Sequence, residues 1–489
     1  MKLNKINELI ISLPVNLSSI IKKIDINGLG IIFIVDKSNR LKASITDGDI
    51  RRFYLRKKKL PKVVNLKSQI INKKPFSLSI SSNIEQILKS LESNSVLAKN
   101  KCIPLLNKKK EIIDIATREN PRDYPVAQPE IGNQELQNVI NAVKSGWISS
   151  RGAFIESFEN KFSKYLKGGF SVSTTSGTTA LQLAMSSLGV SKNDEVIVPS
   201  LTFAGSINSI LSCGAKPVIV DVELDTWTID LKKIKKALTK KTKAIMIVHI
   251  YGQACRIDEI KKFCKSKKLL LIEDCAEAIG AKYKNRLVGL DGDCSCFSFY
   301  ANKSITTGEG GMAVFKNKKI SEYAKTLRNH GMSSSKNYWH EYAGFNYRMT
   351  NIQAAIGVAQ IDRIDELLLK RKKIFSNYDK LLSKIDKIKL LPMNNWSQNS
   401  YWLYTITLEN NELRDRVLKN LQNKGIDVRT CFYPLDLMPP YKKFSKNSCK
   451  VAKKLGLSSL SIPSSSINFN EQKYIVSKLE EQLKKNIKL

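Results

Sequence analysis

The chain has 489 residues, 42% of them hydrophobic, which is enough for real cores and too long for one average domain. A formal charge of +37 is a nucleic-acid signal at face value, but the lysines are scattered through stretches such as KKIKKALTKKTKAI rather than gathered on one face. With no zinc-ligand spacing and no RNA-binding aromatic motif, nucleic-acid binding is set aside as the main function.

The N-terminus lacks the apolar core of a secretory signal, and no apolar run reaches about 18 residues, so a soluble cytoplasmic protein without membrane attachment is expected. Nine cysteines contain no CxxC pair, which suits free thiols in a reducing compartment and no metal site.

The segment 31–53, IIFIVDKSNRLKASITDGDIRRF, reads as strand, turn at Lys37-Ser38-Asn39, strand, then a helix opening at Asp47-Gly48-Asp49. The segment 101–120, KCIPLLNKKKEIIDIATREN, repeats the logic about 65 residues on, with strands over 103–106 and 111–116. Between them, 79–93 reads as an amphipathic helix with a Ser/Asn cap. These units resemble a tandem CBS module. The resemblance implies that Thr46 and Asp49 hold the ribose of an adenine nucleotide. The chain departs from the pattern at Ala43, where glycine is usual, and at Asp114 and Asn120 in the second copy. A packing or dimerisation domain without ligand stays open beside that reading.

Pro121, Pro125 and Pro129 mark an extended connector, with a boundary placed at 122. Helix and strand then alternate, as in a mostly parallel α/β sheet. A helix is predicted over 133–146. Strands are predicted at Phe170–Thr174, Glu195–Pro199, Pro217–Val222, Ala244–Ile250, Leu269–Asp274, Cys294–Tyr300 and Gly311–Phe315. A long helical stretch and a mixed α/β tail follow. The predicted division is 1–122, 123–365 and a small C-terminal domain over 366–489.

Three loops between these strands carry chemistry. Ser176-Gly177-Thr178-Thr179 follows a strand and opens an apolar helix, whose free amides and positive end would hold a phosphate. Pro199-Ser200-Leu201-Thr202-Phe203 places an aromatic ring after a strand. Leu269–Ile272 ends in Glu273-Asp274, and the run 296–300 ends near Lys303 and a loop with Gly308, Gly310 and Gly311. A lysine and a carboxylate at two strand ends are what pyridoxal phosphate (PLP) chemistry requires. Taken singly, each has an ordinary reading: a solvated lysine, a helix cap, a packed phenylalanine.

Together and in this order the segments TSGTTAL, DEVIVPSLTFAGS, IEDCAEAIGA, FSFYANKSITTGEGGM and GFNYRMTNIQAAIG resemble the DegT-type PLP-dependent nucleotide-sugar aminotransferases, over roughly 123–489. NKSITTGEGGM, YWHEYAGFNYRMTN and FYPLDLMPPY look most like the GDP-perosamine synthase branch. The resemblance implies a fold-type I PLP-dependent transferase. Lys303 would attach the cofactor covalently and Asp274 would pair with the pyridine nitrogen. Glu277 would lie near the ring hydroxyl, Gly177, Thr178 and Ser298 would hold the phosphate, and Phe203 would stack on the ring. Asn346 would come from the partner subunit of a homodimer, and Arg328, Arg348 and Arg429 are candidates for carboxylate or diphosphate contacts. L-Glutamate would be the amino donor and a nucleotide-linked 4-keto-6-deoxy sugar the acceptor, GDP-linked first and UDP- or dTDP-linked as the alternative. A sugar dehydratase, which replaces the lysine by histidine, and a nucleotide-sensing scaffold are weaker readings given Lys303 and Asp274.

Overall fold

The computed structural model describes residues 3–82, 86–87, 90, 102–117 and 124–484. It divides into two compact units: 1–124 with 419–427, and 125–418 with 428–489.

The first unit contains one hairpin twice. Ile31–Val35 pairs with Leu41–Thr46, and Cys102–Leu106 with Ile112–Thr117, both antiparallel. Equivalent residues stand 71 apart, as Thr46 and Thr117 do, rather than about 65. Both turns close by the same device. Asp36 Oδ1 accepts from the amides of Ser38 and Arg40, and Asn107 Oδ1 from those of Lys109 and Glu111. The hairpin tips also bond each other, Leu41 N–H to Lys110 O at 3.0 Å and Ile112 N–H to Asn39 O at 3.1 Å. A helix, Asp47–Lys57, follows the first hairpin as predicted. Most of the helix predicted over 79–93, and Asn120, lie outside the described residues.

In the second unit seven strands form one sheet: β1 (Phe170–Thr174), β2 (Glu195–Pro199), β3 (Lys216–Val220), β4 (Thr242–Val248), β5 (Leu270–Asp274), β6 (Cys294–Ser298) and β7 (Gly311–Phe315). Their order is β3-β2-β4-β5-β6-β7-β1. Neighbours are parallel except around β7, which runs antiparallel to both β6 and β1. Alternate residues bury against opposite faces: Val196, Val198, Ala244 and Met246 on one, Ile197, Ile245 and Ile247 on the other. A sheet covered on both faces reads as continuous apolar runs, which is why these strands stand out in the sequence. Strand β6 ends two residues earlier than predicted, because Phe299 N–H turns to the carbonyl of Gly310 and closes the following loop.

Toward the C-terminus a four-stranded antiparallel sheet, Lys389–Leu390, Tyr404–Thr407, Ser459–Ile462 and Arg429–Thr430 in spatial order, accompanies helices Ile364–Leu382 and Phe469–Lys484. Among the described residues no helix is long and apolar enough to cross a membrane. All nine cysteines are free.

Candidate active site

The site gathers at the C-terminal ends of parallel strands, where open α/β sheets leave a crevice. Asp274 is the last residue of β5 and Ser298 the last of β6, on adjacent strands. The preceding Glu273 points to the opposite face, as strand alternation requires. Fully buried, it accepts from the amides of Gly289, Asp291 and Gly292 and lies 3.1 Å from His249 Nε2. His249 Nδ1 accepts from the Cys255 amide at 3.1 Å, which leaves Nε2–H to donate to Glu273. That network anchors the strand end and leaves Asp274 to face the crevice.

Asp274 Oδ2 accepts from Ser206 Oγ at 2.7 Å, and Oδ1 from the Ala276 amide at 3.1 Å. Ser206 in turn lies 2.8 Å from Thr202 Oγ1. Burial raises the Asp274 pKa, opposed by the Ser206 hydroxyl, the Ala276 amide and the charge of Lys303. Glu277, one turn further, accepts from the Tyr251 amide at 2.7 Å. Burial pushes its pKa up to about 7, against the Lys303 charge and the Tyr251 amide. Desolvation pulls the Lys303 amine below the usual lysine value, opposed by Glu277 and Asp274. The two carboxylates and the amine therefore share one desolvated pocket.

Around them, Gly177 and Thr178 open helix Gly177–Ser187, capped by Ser176, whose Oγ accepts from the Thr179 amide. That cap leaves the amides of Gly177 and Thr178 without an intrahelical partner. The helix start presses on the end of β6: a Cβ on Gly177 would sit 2.9 Å from Ser298 Cβ. Gly311 is needed for a similar reason, since its Cβ would fall 2.2 Å from the carbonyl oxygen of Ser176, whereas Gly308 is there for its φ of 83°. Phe203 precedes helix Ala204–Ser212 with its ring 61% exposed and 5.8 Å from that of Phe432.

These residues fit PLP: a desolvated amine, a buried carboxylate oriented by a hydroxyl and an amide, a glycine-floored helix start for a phosphate, and an open aromatic face. Asn346 Oδ1 accepts from Arg348 at 2.9 Å and 3.1 Å, and the carbonyl of the next residue, Tyr347, accepts from the Thr175 amide at 3.0 Å. Arg328 is committed elsewhere, to Glu159 at 2.7 Å and to Ser173. In the first unit, Thr46 and Asp49 bond each other as a capping box, and Arg52 donates to Asp49 Oδ1 at 2.6 Å.

An aromatic wall escapes sequence reading. Tyr251 stacks on Trp402 at 5.9 Å and on Phe432 at 5.4 Å, joining residues up to 181 positions apart. The one detectable cue is structural: Tyr251 holds φ 49°, unusual for a bulky side chain.

Comparison with known proteins agrees with this geometry. The DegT/DnrJ/EryC1/StrS aminotransferase family model matches residues 129–480. The GDP-perosamine synthase of Caulobacter vibrioides is 41% identical over 341 residues, covering 69% of this chain and 92% of that one. The GDP-perosamine synthase of Escherichia coli O157:H7 is 40% identical over 349 residues, covering 71% and 95%. Among solved structures, the PLP form of the candidate sugar aminotransferase Spr1654 from Streptococcus pneumoniae matches with a TM-score of 0.71 at 28% identity, over 74% of this chain and 99% of that one. The chain is thus a PLP-dependent enzyme that belongs to the DegT/DnrJ/EryC1/StrS aminotransferase family.

Proposed function

We propose that the chain is a sugar aminotransferase that moves an amino group from L-glutamate to GDP-4-keto-6-deoxymannose, giving GDP-perosamine for surface polysaccharide. The observation that carries this reading is the Lys303–Asp274–Glu277 pocket, taken with the perosamine-synthase relatives over about 70% of the chain. When bound, PLP supplies an electron sink for the carbon that loses its proton. Asp274 would keep a proton on the ring nitrogen, its own orientation fixed by Ser206 and the Ala276 amide. Lys303 would hold the cofactor through its side-chain amine and, when free, would take and return a proton at Nζ; its lowered pKa suits that work. Glu277 faces the same amine. Gly177, Thr178 and Ser298 would hold the phosphate at the helix start, and Phe203 would stack on the ring. In a homodimer Asn346 would serve the partner's site.

For the first unit we propose a duplicated CBS-like module that binds an adenine nucleotide near Thr46 and Asp49. A ribose there must displace Arg52 from Asp49. The main test is a coupled assay of the purified protein across GDP-, UDP- and dTDP-linked 4-keto sugars with glutamate. Turnover confined to UDP or dTDP sugars would replace the acceptor, and none with any of them would remove the reading.

A further inference from the structure

Lys303 Nζ lies 3.7 Å from the centroid of the Trp402 indole ring, well inside the roughly 6 Å reach of a cation–π contact. The indole is fixed on every side. It is 3% exposed, and its Nε1–H donates to the carbonyl of Asn302, the residue before Lys303, at 3.0 Å. The Tyr251 ring stacks against it, 19° from parallel, and Phe432 stacks on Tyr251 in turn. Arg371, on helix Ile364–Leu382, ties the two main chains together: it donates to the Trp402 carbonyl at 2.9 Å and to the Lys303 carbonyl at 3.3 Å. A buried guanidinium with carbonyl partners is an expensive element, and here both bonds hold the lysine and the tryptophan in register.

We propose that Trp402 is a positioning residue of the reaction: its indole face seats the Lys303 ammonium whenever that amine is not bonded to the cofactor, and Arg371 keeps seat and lysine aligned. This rests on the role proposed for Lys303. A flexible four-carbon side chain that is released and recaptured in each half-reaction needs a fixed resting place close to its work. The carboxylates of Asp274 and Glu277 attract the ammonium but leave its direction open. An indole face supplies direction without offering a proton acceptor. The charged groups facing Lys303 are those two carboxylates, with Arg371 behind its carbonyl; the Tyr251 phenol is neutral, because burial raises its pKa far above the working range.

The test is acylation of full-length protein stripped of cofactor, with acetic anhydride as probe, from pH 6 to 11, reading the Lys303 peptide by mass spectrometry. The indole stabilises the charged amine, so removing it must lower the pH at which Lys303 becomes reactive. Trp402→Leu should move the midpoint down by about one unit and Trp402→Phe by about half as much. If the leucine variant does not fold, the phenylalanine variant and a series of fluorinated tryptophans, which drain the ring face at nearly constant shape, carry the test: the midpoint should fall stepwise with fluorine number. Midpoints equal to wild type in both would overturn the proposal, leaving Trp402 as packing only. Borohydride mapping of the loaded protein separates the two claims. Label away from Lys303 defeats the assignment of the lysine, whereas label on Lys303 with an unmoved midpoint defeats only the seat.

Discussion

Glu277→Gln tests the electrostatics of the pocket without disturbing its shape. The glutamine oxygen can accept the Tyr251 amide as Glu277 Oε2 does, so the backbone anchor is kept. What changes is the titration. The folded-state pKa is raised from 4.5 to about 7 by burial, while the unfolded chain keeps the ordinary value. Between those limits the native state holds more protons than the unfolded state, so the carboxyl lowers stability progressively as pH rises from about 4.5 to 7, and its penalty is complete above 7. At about 1.4 kcal/mol per unit the whole effect is about 3 kcal/mol. The variant carries no such titration. All five tryptophans lie in the second unit, so their fluorescence reports its unfolding. Urea unfolding of cofactor-free wild type and variant should therefore converge near pH 4.5 and diverge by up to about 3 kcal/mol, variant more stable, by pH 8. Carboxylates outside the pocket cancel in the difference. A gap that stays constant with pH would refute the argument, since the Glu277 carboxyl would then titrate alike in both states.

Asp274→Asn should lose about 3–5 kcal/mol of barrier lowering, a hundredfold or more in kcat, at about 1.4 kcal/mol per tenfold; a variant within threefold of wild type would show that Asp274 does not face the ring nitrogen. Mixing inactive Lys303→Ala with inactive Asn346→Ala under proven subunit exchange should restore part of the activity, because one site of each heterodimer regains both residues; no recovery would place Asn346 outside the partner's site. Asp49→Ala removes one half of the Thr46 capping box and should cost about 1 kcal/mol of stability in the first unit whether or not nucleotide binds. Calorimetry of the full chain with AMP, ADP and ATP, before and after that substitution, separates the cap from a ribose contact: binding that survives Asp49→Ala removes the assigned position.

The large sheet was legible because each strand is buried on both faces and writes an uninterrupted apolar run; β1, β2 and β7 have the bounds read from sequence. The reversed direction of β7 was not, since an apolar run of five residues reads the same either way. Asp274 and Lys303 are visible as polar residues just beyond such runs. Trp402, Phe432 and Arg371 are not: they reach the pocket from segments about 70 to 130 residues downstream of Lys303, and an apolar residue in a loop or a basic one in a helix carries no mark of the pocket it lines. In the first unit the duplication was legible, but its spacing was misjudged. The hairpin turns, DKSNR and NKKKE, align only when Asp36 and Asn107 are recognised as playing the same capping part.

The central claim is that Lys303 is the residue that carries the cofactor. The purified protein, loaded with PLP, should absorb in the visible, and borohydride should fix the cofactor irreversibly on the single peptide that contains Lys303. Mass spectrometry of a digest reads the position. Label confined to Lys303, and absent from a folded Lys303→Ala variant, is the predicted result; label on any other lysine, or a bound cofactor that borohydride does not fix, would contradict the account.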